Sequence, residues 1–381
     1  MKDSAVRSWP YLTQTRAYPM SRDITATTSI GALAHNLWQV RSLAPQSRIW
    51  AVVKADAYGH GLEAARRAFA AADGLALLEF DGAVSLREAG WERPILMIEG
   101  AFTRADVALA ARLGLSLVVH NLEQARWLEE HDGPPVPLFL KINTGLNRLG
   151  VPPDAARDMH QRLSRCRMAA SVGLMTHFAN ADLPGGAGAA LDCFDRATAG
   201  IDGERSLANS AAVLTVAESR RHWVRPGIIL YGATPFSDRT AASFGFRPAM
   251  RLSGSLIAVQ QLRRGDAVGY GSNFTAGQTM RIGIVNCGYA DGYPRLAPTG
   301  TPVAVCGVRT RTVGRVSMDM LAVDIDAISA AQVGSPVQLW GDLVGVDEVA
   351  AAAGTIGYDL LCAVTARVRR DMVEEFAEVN R

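Results

Sequence analysis

The sequence has no run of about 20 apolar residues, the length that a membrane-spanning helix needs. It also lacks a block of like charge. Lys and Arg number 39 against 37 Asp and Glu, a formal net charge of +2, so neither nucleic acid nor an anionic membrane is expected as a partner. The local cluster Arg162, Arg165 and Arg167 reads as a solvated helix face. Cysteine is scarce and poorly spaced. Cys166, Cys193, Cys287, Cys306 and Cys362 include no C-x-x-C pair, which argues against a disulfide framework or a zinc site and fits a reducing cytoplasm. The opening MKDSAVRSWPYLTQTRAYPM has no apolar segment of leader type, and residues 1–22 read as an N-terminal tail.

What the sequence has in plenty is alternation. Apolar runs recur between residues 47 and 232: IWAVVKA (49–55), LALLEF (75–80), PILMIEG (94–100), LSLVVHN (115–121), PLFLKIN (137–143), SVGLMTHF (171–178), RSLAN (205–209) and VRPGIILYG (224–232). Helical stretches such as LEAARRAFAAA and LEQARWLEEH separate them. Strands that are apolar throughout suit a parallel sheet buried on both faces. Eight such strands with intervening helices predict a (β/α)8 barrel, with a doubly wound open sheet as the alternative. After about residue 240 the helical periodicity gives way to glycine- and proline-punctuated strands such as RLSGSLIAVQQL and MRIGIVNCG. The predicted organisation is a tail (1–22), an α/β barrel of TIM type (23–240) and a mostly-β C-terminal domain (241–381).

A parallel barrel presents its chemistry at the C-terminal ends of its strands. Lys54 and Tyr58 follow strand one, Lys141 ends strand five, and Arg148 stands in the loop after it. His177 ends strand six, Asn209 and Ser210 end strand seven, and Arg225, Gly227 and Ile228 belong to strand eight. Singly, each has a plainer reading: a snorkelling lysine, a hydrogen-bonded core histidine, a helix N-cap. Jointly, a strand-end lysine able to condense with a carbonyl, a phosphate-type cradle after strands seven and eight, and a ring-facing histidine suit pyridoxal phosphate. In the second domain, GYADGYPR places Tyr289 among glycines, a candidate acid/base group.

Eight segments in order, AVVKADAYGHG, KINTGLNRLG, THFANAD, ANSAA, VRPGIILYG, GYADGYPR, GRVSMDM and TIGYDLLCAVTARVRR, resemble the successive motifs of alanine racemases over residues 24–370. The resemblance implies a head-to-tail homodimer with active sites shared between subunits and pyridoxal phosphate joined to Lys54. It implies a two-base racemisation of L- and D-alanine in which Lys54 serves the D enantiomer and Tyr289 of the other subunit serves the L enantiomer. Arg225 would face the pyridine nitrogen, His177 would pack on the ring, and Asn209 would support the cofactor. Tyr58, Ser210, Gly227, Ile228 and Tyr358 would hold the phosphate. Arg148 and the backbone of Met318 would bind the substrate carboxylate, Lys141 is carbamylated in some members, and Asp319 would lie near Lys54. The departures are Asn143 where aspartate is usual, Leu146 where methionine is usual, and Ser317 where many members have cysteine. D-Alanine supply for peptidoglycan and D-alanine catabolism both fit. The alternatives are a broad-specificity amino-acid racemase and a non-catalytic cofactor-binding protein, the second disfavoured by the Tyr289 segment.

Overall fold

A computed structural model describes residues 22–376. Eight parallel strands close into a barrel: Arg48–Val52, Gly74–Leu77, Ile95–Met97, Ser116–Val119, Val136–Lys141, Ala169–Met175, Arg205–Ser206 and Trp223–Val224. Pairing of Arg48 with Trp223 and Ile49 with Val224 closes the ring. The apolar runs of the sequence therefore become largely buried strands, the exposed start of Ala169–Met175 being the main exception. Side chains fill the barrel interior. Trp50 stacks on Trp223 at 4.0 Å and meets Phe139 edge-on at 6.4 Å. A Cβ on Gly74 would collide with the Trp50 ring, and one on Gly173 with Phe139, so these strands need glycine there.

The eighth strand is shorter than the sequence suggests. It stops at Val224, and Ile228–Tyr231 forms a 3-10 turn instead. Pro226 has no N–H to donate to a ladder, so the chain leaves the sheet at that point.

The second unit is an eight-stranded sheet built around the long strand Met250–Leu262. That strand pairs antiparallel with Met280–Val285, with Pro336–Trp340 and with Thr25–Ser29. The sequence division assigns residues 23–240 to the barrel, but Thr25–Ser29 lies in this other sheet, between Met250–Leu262 and the parallel strand Arg369–Val373. The first and last strands of the described residues thus join the same layer. The short Val308–Val313 strand also escapes the apolar-run criterion, because VRTRTV is polar throughout between its two end valines. No helix among the described residues is long and apolar enough to cross a membrane.

Candidate active site

The first barrel strand ends at Val52, and Lys54 opens the left-handed turn that follows. Ala55, Asp56, Ala57 and Tyr58 have φ of 54°, 50°, 55° and 53°. Four such residues in succession cost roughly 1–2 kcal/mol each, so neighbours must hold them. The Ala55 N–H donates to Glu79 Oε1 at 3.1 Å, and Asp56 Oδ1 accepts from the Leu62 N–H at 2.8 Å. Tyr58 is buried and stacks on Tyr231 at 4.7 Å, and the Tyr231 hydroxyl donates to the Val52 carbonyl at 2.8 Å. The turn delivers the Tyr58 hydroxyl against Gly227, where a Cβ would collide with it.

Beside Tyr58 lies a set of donors without acceptors. Asn209 caps the helix Ser210–Thr215 through the Ala212 N–H at 3.0 Å. Ser210 Oγ accepts from the Gly227 N–H at 2.8 Å. The buried Ile228 N–H opens the 3-10 turn and bonds to no described residue. Tyr358 tilts toward Tyr58 with ring centroids 6.1 Å apart. Neither hydroxyl has a hydrogen-bond partner among the described residues. Burial raises the phenol pKa of both tyrosines, so they remain protonated donors at neutral pH.

The floor of the site is cationic. Arg225, 5 % exposed, donates from Nη1 to Ser206 Oγ at 2.8 Å and from Nη2 to the carbonyls of Thr176 (2.6 Å) and Leu207 (3.2 Å). Its Nε–H has no partner among the described residues. Burial lowers its pKa to about 10, which leaves it charged at neutral pH. Burial, then Arg225, Lys141, Arg148 and Lys54, push His177 well below the usual imidazole range, so the ring is neutral. Lys141 is lowered to about 8 by burial and then by Arg225, Arg148 and Lys54, against the opposing effect of Glu99. The positive field and the unused donors together suit a polyanionic ligand.

Asn143, one of the departures, has a structural role. Its Oδ1 accepts from the Gly145 and Asn147 N–H groups at 3.1 and 3.0 Å, while its amide donates to Asn147 Oδ1 at 2.9 Å. An aspartate could accept the first two bonds but could not donate the third. Asn147 has φ of 56°, so this pair fixes the turn that presents the exposed Arg148.

Tyr289 and Met318 lie on the second unit. The Tyr289 N–H donates to the Ser317 carbonyl at 3.0 Å, and Tyr289 is 36 % exposed. Its hydroxyl and the Met318 N–H have no partner among the described residues. Met318 (52 % exposed), Met320 and Tyr270 are also exposed, an apolar surface of the kind that marks an interface. Asp319 pairs with Arg367 at 2.6 Å.

Sequence reasoning missed Tyr231, the Asn143–Asn147 pair and Arg22, which it left in the tail. Residues 1–21 of that tail lie outside the described residues. Arg22 itself is anchored through Asp291, as set out below. Of 39 basic residues only Lys2, Lys54 and Lys141 are lysines. Arginine cannot lose its proton to become a nucleophile, so an amine retained twice at one rim is informative.

A closed parallel barrel with a cationic, donor-rich mouth at its strand ends, joined to a β domain, has the layout of a barrel enzyme that takes an anionic ligand there. Residues 28–235 match the family described as "Alanine racemase, N-terminal domain", and residues 249–372 match "Alanine racemase, C-terminal domain". The alanine racemase of Bordetella petrii is 53 % identical over 370 residues, covering 92 % of this chain and 98 % of that one. The biosynthetic alanine racemase of Pseudomonas aeruginosa superposes with a TM-score of 0.89 at 44 % identity, covering 92 % and 99 %. A Bartonella henselae alanine racemase with covalently bound pyridoxal phosphate superposes with a TM-score of 0.83 at 23 % identity, covering 92 % and 99 %, a likeness of fold alone. The chain belongs to the alanine racemase family.

Proposed function

We propose that the protein interconverts L- and D-alanine with pyridoxal phosphate joined to Lys54, and that Tyr289 of a second copy supplies the opposing proton-transfer group. The observation that carries this reading is the set of partnerless donors gathered near Lys54: the Ile228 N–H, the Tyr58 and Tyr358 hydroxyls and the Arg225 Nε–H. A phosphate ester and an aromatic nitrogen supply the acceptors that these groups lack.

In this reading Ser210, Gly227, Ile228, Tyr58 and Tyr358 hold the phosphate, and Asn209 fixes the turn behind them. His177, neutral and flat, packs beside the ring. Bound there, the cofactor withdraws electrons from the substrate's α carbon and makes its proton acidic. Arg225 can only donate to the ring nitrogen, so that nitrogen stays unprotonated, which favours proton exchange over bond cleavages that need a stronger electron sink.

Racemisation takes a proton from one face of a carbon and returns one to the other, so two groups on opposite sides are needed. Lys54 takes it from D-alanine and Tyr289 from L-alanine. Arg148 and the free Met318 N–H hold the carboxylate, and Asp319 sits near Lys54 across the interface. The exposure of Tyr289, Met318 and Met320 supports a head-to-tail homodimer. Lys141, with its lowered pKa, adds carbon dioxide and releases a proton, and the resulting carbamate anion orients Arg148.

Borohydride reduction of the purified enzyme followed by peptide mapping tests the assignment. The expected result is a pyridoxyl label on Lys54 in a preparation that racemises L-alanine. An unlabelled Lys54 would overturn it. Tyr289→Phe should lower the rate from L-alanine by about 100-fold or more while the label persists.

A further inference from the structure

Arg22 stands three residues before the strand Thr25–Ser29, more than 250 positions from Tyr289 and Met318. Its guanidinium nevertheless gathers two separate segments, 286–291 and the one that holds Asp319. Nη1 donates to Asp291 Oδ1 at 2.8 Å, and Nη2 reaches Asp291 Oδ2 at 3.0 Å, the Asn286 carbonyl at 2.6 Å and the Asp319 carbonyl at 3.2 Å. Asp291 is fully buried and ends the 3-10 turn Tyr289–Asp291. Its Oδ2 also accepts from the Gly288 N–H at 2.9 Å. A side-chain bond reinforces the arrangement: Asn286 Nδ2 donates to the Asp23 carbonyl at 3.0 Å, tying the segment that carries Arg22 to the same strand end.

The two segments that Arg22 joins carry the two groups that the second unit presents. Tyr289 lies between Gly288 and Asp291, and Met318 precedes Asp319. Among the described residues the only other cation paired with Asp291 is Arg367, at 3.5 Å, which makes its shorter contact of 2.6 Å with Asp319. Without Arg22, a buried carboxylate keeps one distant counter-ion, and the carbonyls of Asn286 and Asp319 lose their common donor. A bidentate guanidinium fixes direction as well as charge, and an ammonium cannot copy that fork.

We propose that Arg22 is a positioning residue: it locks the Tyr289 turn to the Met318 segment, and so sets the phenol and the carboxylate-binding amide in register for the neighbouring subunit's site. This rests on the assignment of Tyr289 and on the shared-site dimer proposed above. Arg22 touches no substrate, and its effect passes through Asp291.

Two measurements on the holoenzyme test it. The first is exchange of the α-proton with deuterated water. Arg22→Ala should slow exchange of L-alanine, the face assigned to Tyr289, by about 10–100-fold and that of D-alanine at Lys54 several-fold less, because both enantiomers share the Met318 amide but only L-alanine gives its proton to Tyr289. Arg22→Lys should recover only part of the loss. Equal losses for both enantiomers, loss of bound cofactor or wild-type exchange would each overturn the proposal. The second is subunit mixing. Arg22→Ala chains refolded with Lys54→Ala chains should regain activity, because the hybrid contains one site with an intact lysine facing an intact Arg22–Asp291 clamp. Arg22→Ala mixed with Tyr289→Phe should regain none. The control mixture, Lys54→Ala with Tyr289→Phe, separates the two readings. If the control recovers activity and the Arg22→Ala/Lys54→Ala mixture does not, Arg22 is not a positioning residue. If the control also fails, the shared-site dimer falls first.

Discussion

The Ala290 N–H donates to the Met318 carbonyl at 2.9 Å, which stitches the turn bearing Tyr289 to the segment bearing the free Met318 amide. The close approach depends on Gly288, where a Cβ would collide with the Ser317 and Met318 carbonyls. Gly288→Ala should therefore lower kcat and raise KM for alanine together, by about 10-fold or more, as the two segments separate. Steady-state kinetics beside an absorbance titration of bound cofactor check this. Unchanged kinetics would mean that the spacing of the two segments does not matter.

Lys141 should take up carbon dioxide. Its pKa, lowered from the usual lysine value to about 8, leaves a substantial neutral fraction at pH 8.5 and little at pH 6.5. Enzyme equilibrated with 13C-bicarbonate should show a carbamate resonance at the higher pH, absent in Lys141→Ala. A spectrum identical for both proteins would leave Lys141 a plain amine.

Asp347 should make the protein less stable as pH rises. Its Oδ2 accepts from the Thr234 N–H at 2.9 Å across the two units. Burial, the largest cause, raises its pKa to about 6, with Glu348 adding and the Thr234 bond opposing. A carboxyl whose pKa is higher in the folded than in the unfolded chain favours folding fully below about pH 4. That contribution is lost as pH rises through about 6. Asp347→Asn keeps an uncharged acceptor, so it should stabilise the protein by about 1–3 kcal/mol at pH 8 and hardly at all at pH 4. Denaturation midpoints at the two pH values decide the matter, and equal shifts would refute it.

The left-handed turn after Lys54 should yield stability to glycine. Ala55 is exposed at φ of 54°, so Ala55→Gly relieves backbone strain with no loss of packing. Against the entropy that glycine adds to the unfolded chain, the net gain should be about 0.5–1 kcal/mol. Ala55→Val should have the opposite sign. Urea unfolding of the three proteins measures both, and a fall for Ala55→Gly would show that the turn is unstrained.

The barrel was legible in the sequence because a strand buried on both faces must be apolar along its length, and eight such runs alternate with helices. The rim residues Lys54, Lys141, His177 and Arg225 followed, because parallel strands bring their C-terminal ends to one side. Local chemistry also revealed Asn209 as a cap. What adjacent residues could not reveal was any relationship fixed by long-range packing. Thr25–Ser29 reads as a barrel segment, yet it pairs with strands more than 200 residues away. Pro226 shortened a strand whose apolar run continued past it. Arg22 reads as part of a tail, because its partners Asn286, Asp291 and Asp319 come close only when the strand Thr25–Ser29 joins the sheet of the second unit. Side-chain type and period set the elements and the chemistry available at each strand end. Which donors are left without partners, and which arginine holds which turn, depends on the distances that the completed fold creates.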